Sequence, residues 1–189
     1  PGTALITGSD RGIGLALTRE FISRGWQVIA TCRDPSRATA LIALAKDHPG
    51  VSIARLDVTD HAAIDALVAK LKGRPIDALV NNAGVSGSFD GLSPAGLEPD
   101  EFARVLRVNS YAPLRLSVAF LDLVAASRQR KIIGISSGYG SIASVPGVIA
   151  SGYPTAYAYA MSKAALNMGL RMFALETANR QVTTVLLSP

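Results

Sequence analysis

The chain has 189 residues, 49% of them hydrophobic, which is enough for one domain with a sizeable core and too little for two. Its formal charge of +5, from 19 basic and 14 acidic residues, is spread without a basic block, which argues against nucleic acid as a partner. No apolar run approaches the roughly 18 residues of a membrane span.

Cys32 is the only cysteine, so an internal disulfide and a cysteine-rich metal site are excluded and a reducing compartment fits. His48 and His61 sit in polar, helix-flanking contexts without a partner at ligand spacing, so no metal site is expected. With a strand at the start and no visible leader, a soluble cytoplasmic protein is expected.

Short β-branched runs alternate with longer stretches of helical period, the pattern of βαβ units around a parallel sheet. The first predicted strand, residues 4–7, leads into Thr7-Gly8-Ser9-Asp10-Arg11-Gly12-Ile13-Gly14, which opens a predicted helix over residues 12–23. Glycines here allow a sharp turn and the close approach of a pyrophosphate. The helix start adds free N–H groups and partial positive charge. The loop thus reads as a cofactor cradle made by Gly8, Asp10, Arg11, Gly12, Ile13 and Gly14.

The second predicted strand, residues 28–31, runs into Cys32 and Arg33, where a dinucleotide fold that holds the ribose 2′-hydroxyl of NAD carries an acid. Arg33 instead suits a 2′-phosphate, and Arg11 lies in the loop that would face it. NADP(H) is therefore expected over NAD(H). The alternative is that Arg33 merely pairs with Asp34 at the surface.

A helix over 37–46, a strand over 52–56, a helix over 62–72 and a strand over 78–80 continue the alternation. Residues 86–99, rich in Gly, Ser and Pro, read as a loop. A long helix is predicted over 101–127, with Asn109 four residues before Pro113. Proline has no N–H, so the carbonyl of Asn109 loses its helical partner. Either a water-linked proton path or a plain kink follows.

The fifth predicted strand, residues 132–135, ends in Ser136 and Ser137 at the same edge of the sheet as the glycine loop. A hydroxyl there can hydrogen-bond a substrate carbonyl, and because side chains alternate along a strand only one of the two points into a site. Residues 138–154, with four Gly and two Pro, read as a second loop. The next helix, 155–177, carries Tyr159-Ala160-Met161-Ser162-Lys163, a phenol and an ammonium one helical turn apart. A phenol titrates near 10 in water, and a nearby cation favours phenolate. Tyr159 is thereby a candidate general acid or base; of the five tyrosines, only this one has a lysine four positions on.

Small and apolar residues such as Ala158, Ala164, Ala165 and Leu166 occupy more than one face of that helix, which suggests a homodimer or homotetramer, although burial against the sheet explains much of the pattern. The last predicted strand, 183–187, stops just before Pro189, and a truncated or incompletely ordered protein is expected, with an exposed sheet edge. Six strands and five helices describe a doubly wound, Rossmann-type α/β fold as a single domain over 1–189.

Taken together, these motifs resemble the short-chain dehydrogenase/reductase family, in its carbonyl-reductase and C-factor-like branch. The resemblance runs from Thr3 to Pro189. Thr7 to Gly14 is similar to the family's glycine loop; Asp57 in Leu56-Asp57-Val58 matches its adenine-contacting acid; Asn81-Asn82-Ala83-Gly84 resembles its motif after the fourth strand. Asn109, Ser137, Tyr159 and Lys163 match its catalytic tetrad.

The resemblance implies that Asp57, Val58, Asn82, Ala83 and Gly84, together with Tyr159 and Lys163, contact the cofactor. It further implies that Tyr159 protonates the forming alkoxide, Ser137 orients the carbonyl, Lys163 holds the nicotinamide ribose and Asn109 holds a water. Ser136 becomes the turn residue. The segment between Ser137 and Tyr159 is longer than in many relatives, and the family's substrate loop and seventh strand are missing.

The leading expectation is thus an oxidoreductase acting on a small carbonyl or alcohol. A nucleotide-binding sensor with little turnover on the same fold is the rival, since fold alone does not separate them. A sugar-nucleotide epimerase would need a larger C-terminal domain than the remaining chain provides.

Overall fold

A computed structural model describes residues 1–87, 98–152 and 155–189. Six parallel strands form one sheet: β1 (Thr3–Thr7), β2 (Gln27–Cys32), β3 (Val51–Arg55), β4 (Ala78–Asn81), β5 (Lys131–Ile135) and β6 (Thr183–Leu187). Their order is β3-β2-β1-β4-β5-β6, so the chain reverses direction across the sheet between β1 and β4. That reversal opens a crevice at the carboxyl ends of the strands, where such sheets bind ligands.

Register follows from apolar matching on both faces. In β1, Leu5 belongs to one core cluster, whereas Ala4 and Ile6 belong to the other. A strand buried on both sides reads as a continuous apolar run rather than an alternating one, which is why TALIT is unbroken.

On one face lie α1 (Gly12–Ser23) and α2 (Thr39–Asp47), and Leu41 with Phe21 packs against Val28 and Ala30. On the other lie α3 (His61–Lys70), α5 (Ala112–Ala125) and α7 (Tyr157–Glu176), which bring Ile64, Leu116, Phe120 and Phe173 onto Leu5, Leu79 and Ile132. Asp60 caps α3 by accepting from Ala63 N–H at 3.0 Å, one of the orphan amides that a helix start leaves.

Three expectations are corrected. The long helix predicted over 101–127 is α4 (Pro99–Leu106), a π-helical turn (Arg107–Tyr111) and α5. The N–H of Ala112 reaches back five residues to the Arg107 carbonyl, and the widened turn ends just before Pro113, whose missing N–H and ring disrupt regular α-helical bonding there. The predicted loop 138–154 contains a 3-10 turn (Gly138–Gly140) and α6 (Val145–Ala150). A six-residue helix is too short to show a period. The predicted helix 37–46 begins later, at Thr39, after a 3-10 turn over Pro35–Arg37 capped by Asp34.

Of the other predicted loop, residues 88–97 lie outside the described residues, as do Tyr153 and Pro154 of the second. β6 is an edge strand with Thr183, Leu186 and Leu187 exposed, and no described helix is long and apolar enough to cross a membrane.

Candidate active site

The turn after β1 holds Gly8 at φ +67° and Gly12 at φ +53°, conformations that L side chains rarely adopt. Gly14 is constrained by space: a Cβ there would lie 2.0 Å from the Gly8 carbonyl oxygen and 2.5 Å from Asn82 Nδ2. The loop is held from the segment after β4. Thr7 Oγ1 accepts from the amides of Asn82 and Ala83, both at 3.0 Å, and Asn82 Nδ2 donates to the Thr7 and Gly8 carbonyls at 2.8 and 3.1 Å. Asn81, the preceding residue, turns into the core and donates to Ser117 Oγ at 3.1 Å.

A cleft of about 440 Å³ lies over this loop. Gly8, Asp10, Arg11, Gly12, Ile13, Gly14, Arg33, Asp57, Val58, Asn82, Ala83 and Gly84 all line it, so the predicted cofactor residues converge except Tyr159 and Lys163, which are not part of its lining. Burial works against ionisation of Asp57, but the Thr59 amide and hydroxyl, at 2.9 and 2.7 Å, with Arg33 and Arg55 nearby, hold its carboxyl below the usual range. Asp34 accepts from the Ser36 amide at 3.0 Å and hydroxyl at 2.5 Å, and Arg33 makes no ion pair with Asp34 among the described residues. The cleft is also lined by Arg104, Arg107 and Val108, which sequence reasoning missed. They share one helical face at spacings of three and four just ahead of Asn109, and that was their signal.

Cys32 borders the same cleft but is buried. Burial, with Asp10 and Asp34 nearby, pushes its thiol up, which leaves it a poor nucleophile.

Asn109, placed by the π-helical turn, is buried. Its Nδ2 donates to the Val85 carbonyl at 2.8 Å and to Ser162 Oγ at 2.9 Å, and its Oδ1 accepts from the Val85 amide at 2.9 Å. One side chain thereby ties the segment after β4 to α7. A Cβ on Gly84 would sit 3.3 Å from Asn109 Oδ1 and 3.9 Å from Lys163 Nζ, so Gly84 is where the cleft approaches Lys163 of α7.

Lys163 is only 5% exposed. Its ammonium donates to the Ile135 carbonyl at 2.7 Å and lies 5.5 Å from the centroid of the Tyr159 ring. Burial lowers its pKa to about 8. The Tyr159 ring meets the edge of Tyr139 with centroids 5.7 Å apart and planes at 76°, an arrangement aromatic pairs favour. Ser137 Oγ accepts from the Tyr139 amide at 3.3 Å, while the Ser136 hydroxyl turns to α7. Tyr139 therefore links Ser137 to Tyr159, a contact across 20 residues that no local pattern announces.

The fit of a dinucleotide rests on this geometry: a glycine turn with no room for side chains at Gly14, a helix start behind it, and Arg11, Arg33, Arg104 and Arg107 against Asp10 and Asp57 on the walls. A parallel sheet with its crevice at the reversal point and such a loop defines a dinucleotide-binding α/β protein.

The family profile described as short chain dehydrogenase matches residues 2–189. A short chain dehydrogenase of Penicillium aethiopicum is 34% identical over 184 residues, covering 93% of this chain and 70% of that protein. Among solved structures, NADPH-bound carbonyl reductase from chicken fatty liver superposes with a TM-score of 0.89 at 35% identity, covering 99% of this chain and 78% of that one. A carbonyl reductase from Pseudomonas aeruginosa PAO1 in complex with NADP gives 0.88 at 32% identity, over 100% and 82%. The chain belongs to the short-chain dehydrogenase/reductase family, oxidoreductases that work on carbonyl or alcohol groups with a nicotinamide cofactor.

Proposed function

We propose that this chain is an NADP(H)-dependent carbonyl reductase of the cytoplasm, built as one domain over residues 1–189, whose reaction is run by Ser137, Tyr159, Lys163 and Asn109. The observation that carries the reading is the buried Lys163 ammonium beside the Tyr159 ring, directly behind Gly84 of the cleft. The cofactor, when bound, supplies the hydride. The Tyr159 hydroxyl gives a proton to the substrate oxygen, and Ser137 Oγ donates a hydrogen bond to the same oxygen, steadying it as charge develops. Lys163 holds the ribose and returns a proton to Tyr159. Asn109 positions α7, and its main-chain carbonyl is the group left to hold a water, because its side chain is engaged by Val85 and Ser162. Oxidation of NADPH by a panel of aldehydes, ketones and quinones tests the reading; cofactor binding without any turnover would favour a sensor instead.

The preference for NADP(H) rests on Arg33 and Arg11 at the cleft, with Asp34 committed to Ser36. A charge-assisted hydrogen bond contributes about 1.5–3 kcal/mol. Arg33→Asp is thus expected to weaken NADPH binding about 10–100-fold and to improve NADH binding, as read by fluorescence titration. An unmodified protein that already prefers NADH would sink this part.

Self-association is part of the same proposal, on a corrected face. Leu166 is buried, whereas Met161, Ala165, Met168, Met172 and Leu175 run exposed along α7, and Val118 of α5 is exposed as well. A stripe of this kind fits a symmetric contact between copies of the chain. Light scattering is expected to give at least twice the 19.7 kDa of the chain, and Met168→Glu to return it to monomer. A monomer at micromolar concentration rules this out.

A further inference from the structure

The segment that follows Ile135, the last residue of β5, carries Ser137 and Tyr139. Three contacts hold it to α7. The Lys163 ammonium donates to the Ile135 carbonyl at 2.7 Å. The Ser136 hydroxyl donates to Asn167 Oδ1 at 2.6 Å. Asn167 Nδ2 donates to the Gly140 carbonyl at 3.1 Å. Tyr159, Lys163 and Asn167 are spaced by four and share one face of the helix.

Gly140 shows how close the approach is. A Cβ there would lie 2.8 Å from Asn167 Nδ2, 2.8 Å from the Lys163 carbonyl carbon and 2.9 Å from its oxygen. The backbone at Gly140 therefore rests directly on the turn of α7 that carries Lys163. Ser136 is buried, so its hydroxyl needs an internal partner, and Asn167 provides it.

We propose that Asn167 is a positioning residue for the reduction, an inference that rests on the reductase reading: by bonding Ser136 with its oxygen and Gly140 with its nitrogen, it clamps both ends of the segment that presents Ser137 and Tyr139 to Tyr159. Adjacent side chains of an extended segment point in opposite directions. Anchoring Ser136 on α7 thus fixes the direction of Ser137. Without the clamp, Ser137 Oγ swings relative to the Tyr159 hydroxyl, and the two no longer meet one substrate oxygen. Displacement of about 1 Å at such a site costs about 100-fold in rate.

The hydrogen bonds of Asn167 go to Ser136 and Gly140, neither of which lines the cofactor cleft at the glycine loop. The expected signature is therefore a fall in kcat with cofactor affinity preserved. In Asn167→Ala, kcat with the best carbonyl of the panel should drop about 10–100-fold while the Kd for NADPH stays within twofold. Amide hydrogen exchange over residues 138–141 should quicken. Ser136→Ala cuts one end only and should give a smaller loss; added to Asn167→Ala it should cost nothing more, since the bond it removes is already gone.

The single variant at Ser136 keeps the test open if Asn167→Ala fails to fold. An unchanged kcat in folded Asn167→Ala overturns the proposal, whatever exchange shows. A fall in kcat with unaltered exchange overturns the clamp as its cause. If the unmodified protein reduces no carbonyl, the reductase reading fails and the positioning role falls with it, while exchange still reports whether the clamp exists.

Discussion

Tyr159→Phe is expected to lower kcat for carbonyl reduction about 100- to 10,000-fold, the range that positioned acid–base groups contribute, with NADPH affinity changed little. The substitution removes one oxygen and leaves a ring of the same outline. Phenylalanine keeps the edge contact with Tyr139, 5.7 Å between centroids, and the ring that faces the Lys163 ammonium at 5.5 Å. Ser162, whose hydroxyl donates to the Tyr159 carbonyl at 2.7 Å, is untouched, and so is its link to Asn109. Packing, helix and cleft all persist, so a loss of rate reports the missing proton. Stopped-flow oxidation of NADPH beside fluorescence titration separates chemistry from binding. A kcat within tenfold of the unmodified protein would remove Tyr159 from the proton path.

The degree to which these features were legible in the sequence follows from how local each is. β1, β2 and β4 are short apolar runs with turn residues at their ends, and burial on both faces makes the run itself the signal. The glycine loop and the Tyr159–Lys163 spacing are local too, confined to one turn and one helix. The π-helical turn was half visible: Pro113 announced a disturbance, but whether the helix kinks or widens is decided by packing against α7, which Asn109 and Ser110 engage through Ser162. The partner that Asn109 finds in Val85 and the staple that Asn82 makes across to Gly8 join residues more than 20 positions apart. Such pairs need the topology first.

Asn167 lay one more step along the Tyr159–Lys163 face and was legible by period alone. Nothing in the sequence, however, said that Gly140 would come to rest against it. Arg104 and Arg107 were missed for the opposite reason: cations on an amphipathic helix read as solvated, and only the fold turns that face toward a cleft.

The second large effect pairs loss of activity with gain of stability. Lys163→Met is expected to abolish reduction, because the ammonium beside Tyr159 is gone, and at the same time to stabilise the fold at pH 7 by about 2 kcal/mol. Burial takes the charged amine out of water, and its pKa falls from 10.5 to about 8. At about 1.4 kcal/mol per pH unit of displacement, keeping that charge in the native state costs about 3 kcal/mol. Methionine fills similar space without the charge but leaves the Ile135 carbonyl without this donor, which returns about 1 kcal/mol. The pH dependence fixes the sign. Below pH 8 the amine is protonated in both states and the whole cost is present. Between about 8 and 10.5 the native state releases its proton while the unfolded chain keeps it, so the unmodified protein gains stability as pH rises. Above 10.5 the cost has gone. Urea denaturation of both proteins at pH 7 and at pH 10 should therefore show the advantage of the variant shrinking at the higher pH. An advantage that is absent at pH 7, or that grows with pH, would mean that Lys163 is not held as a desolvated cation. The depression of its pKa by burial, on which the stability argument rests, would then be absent.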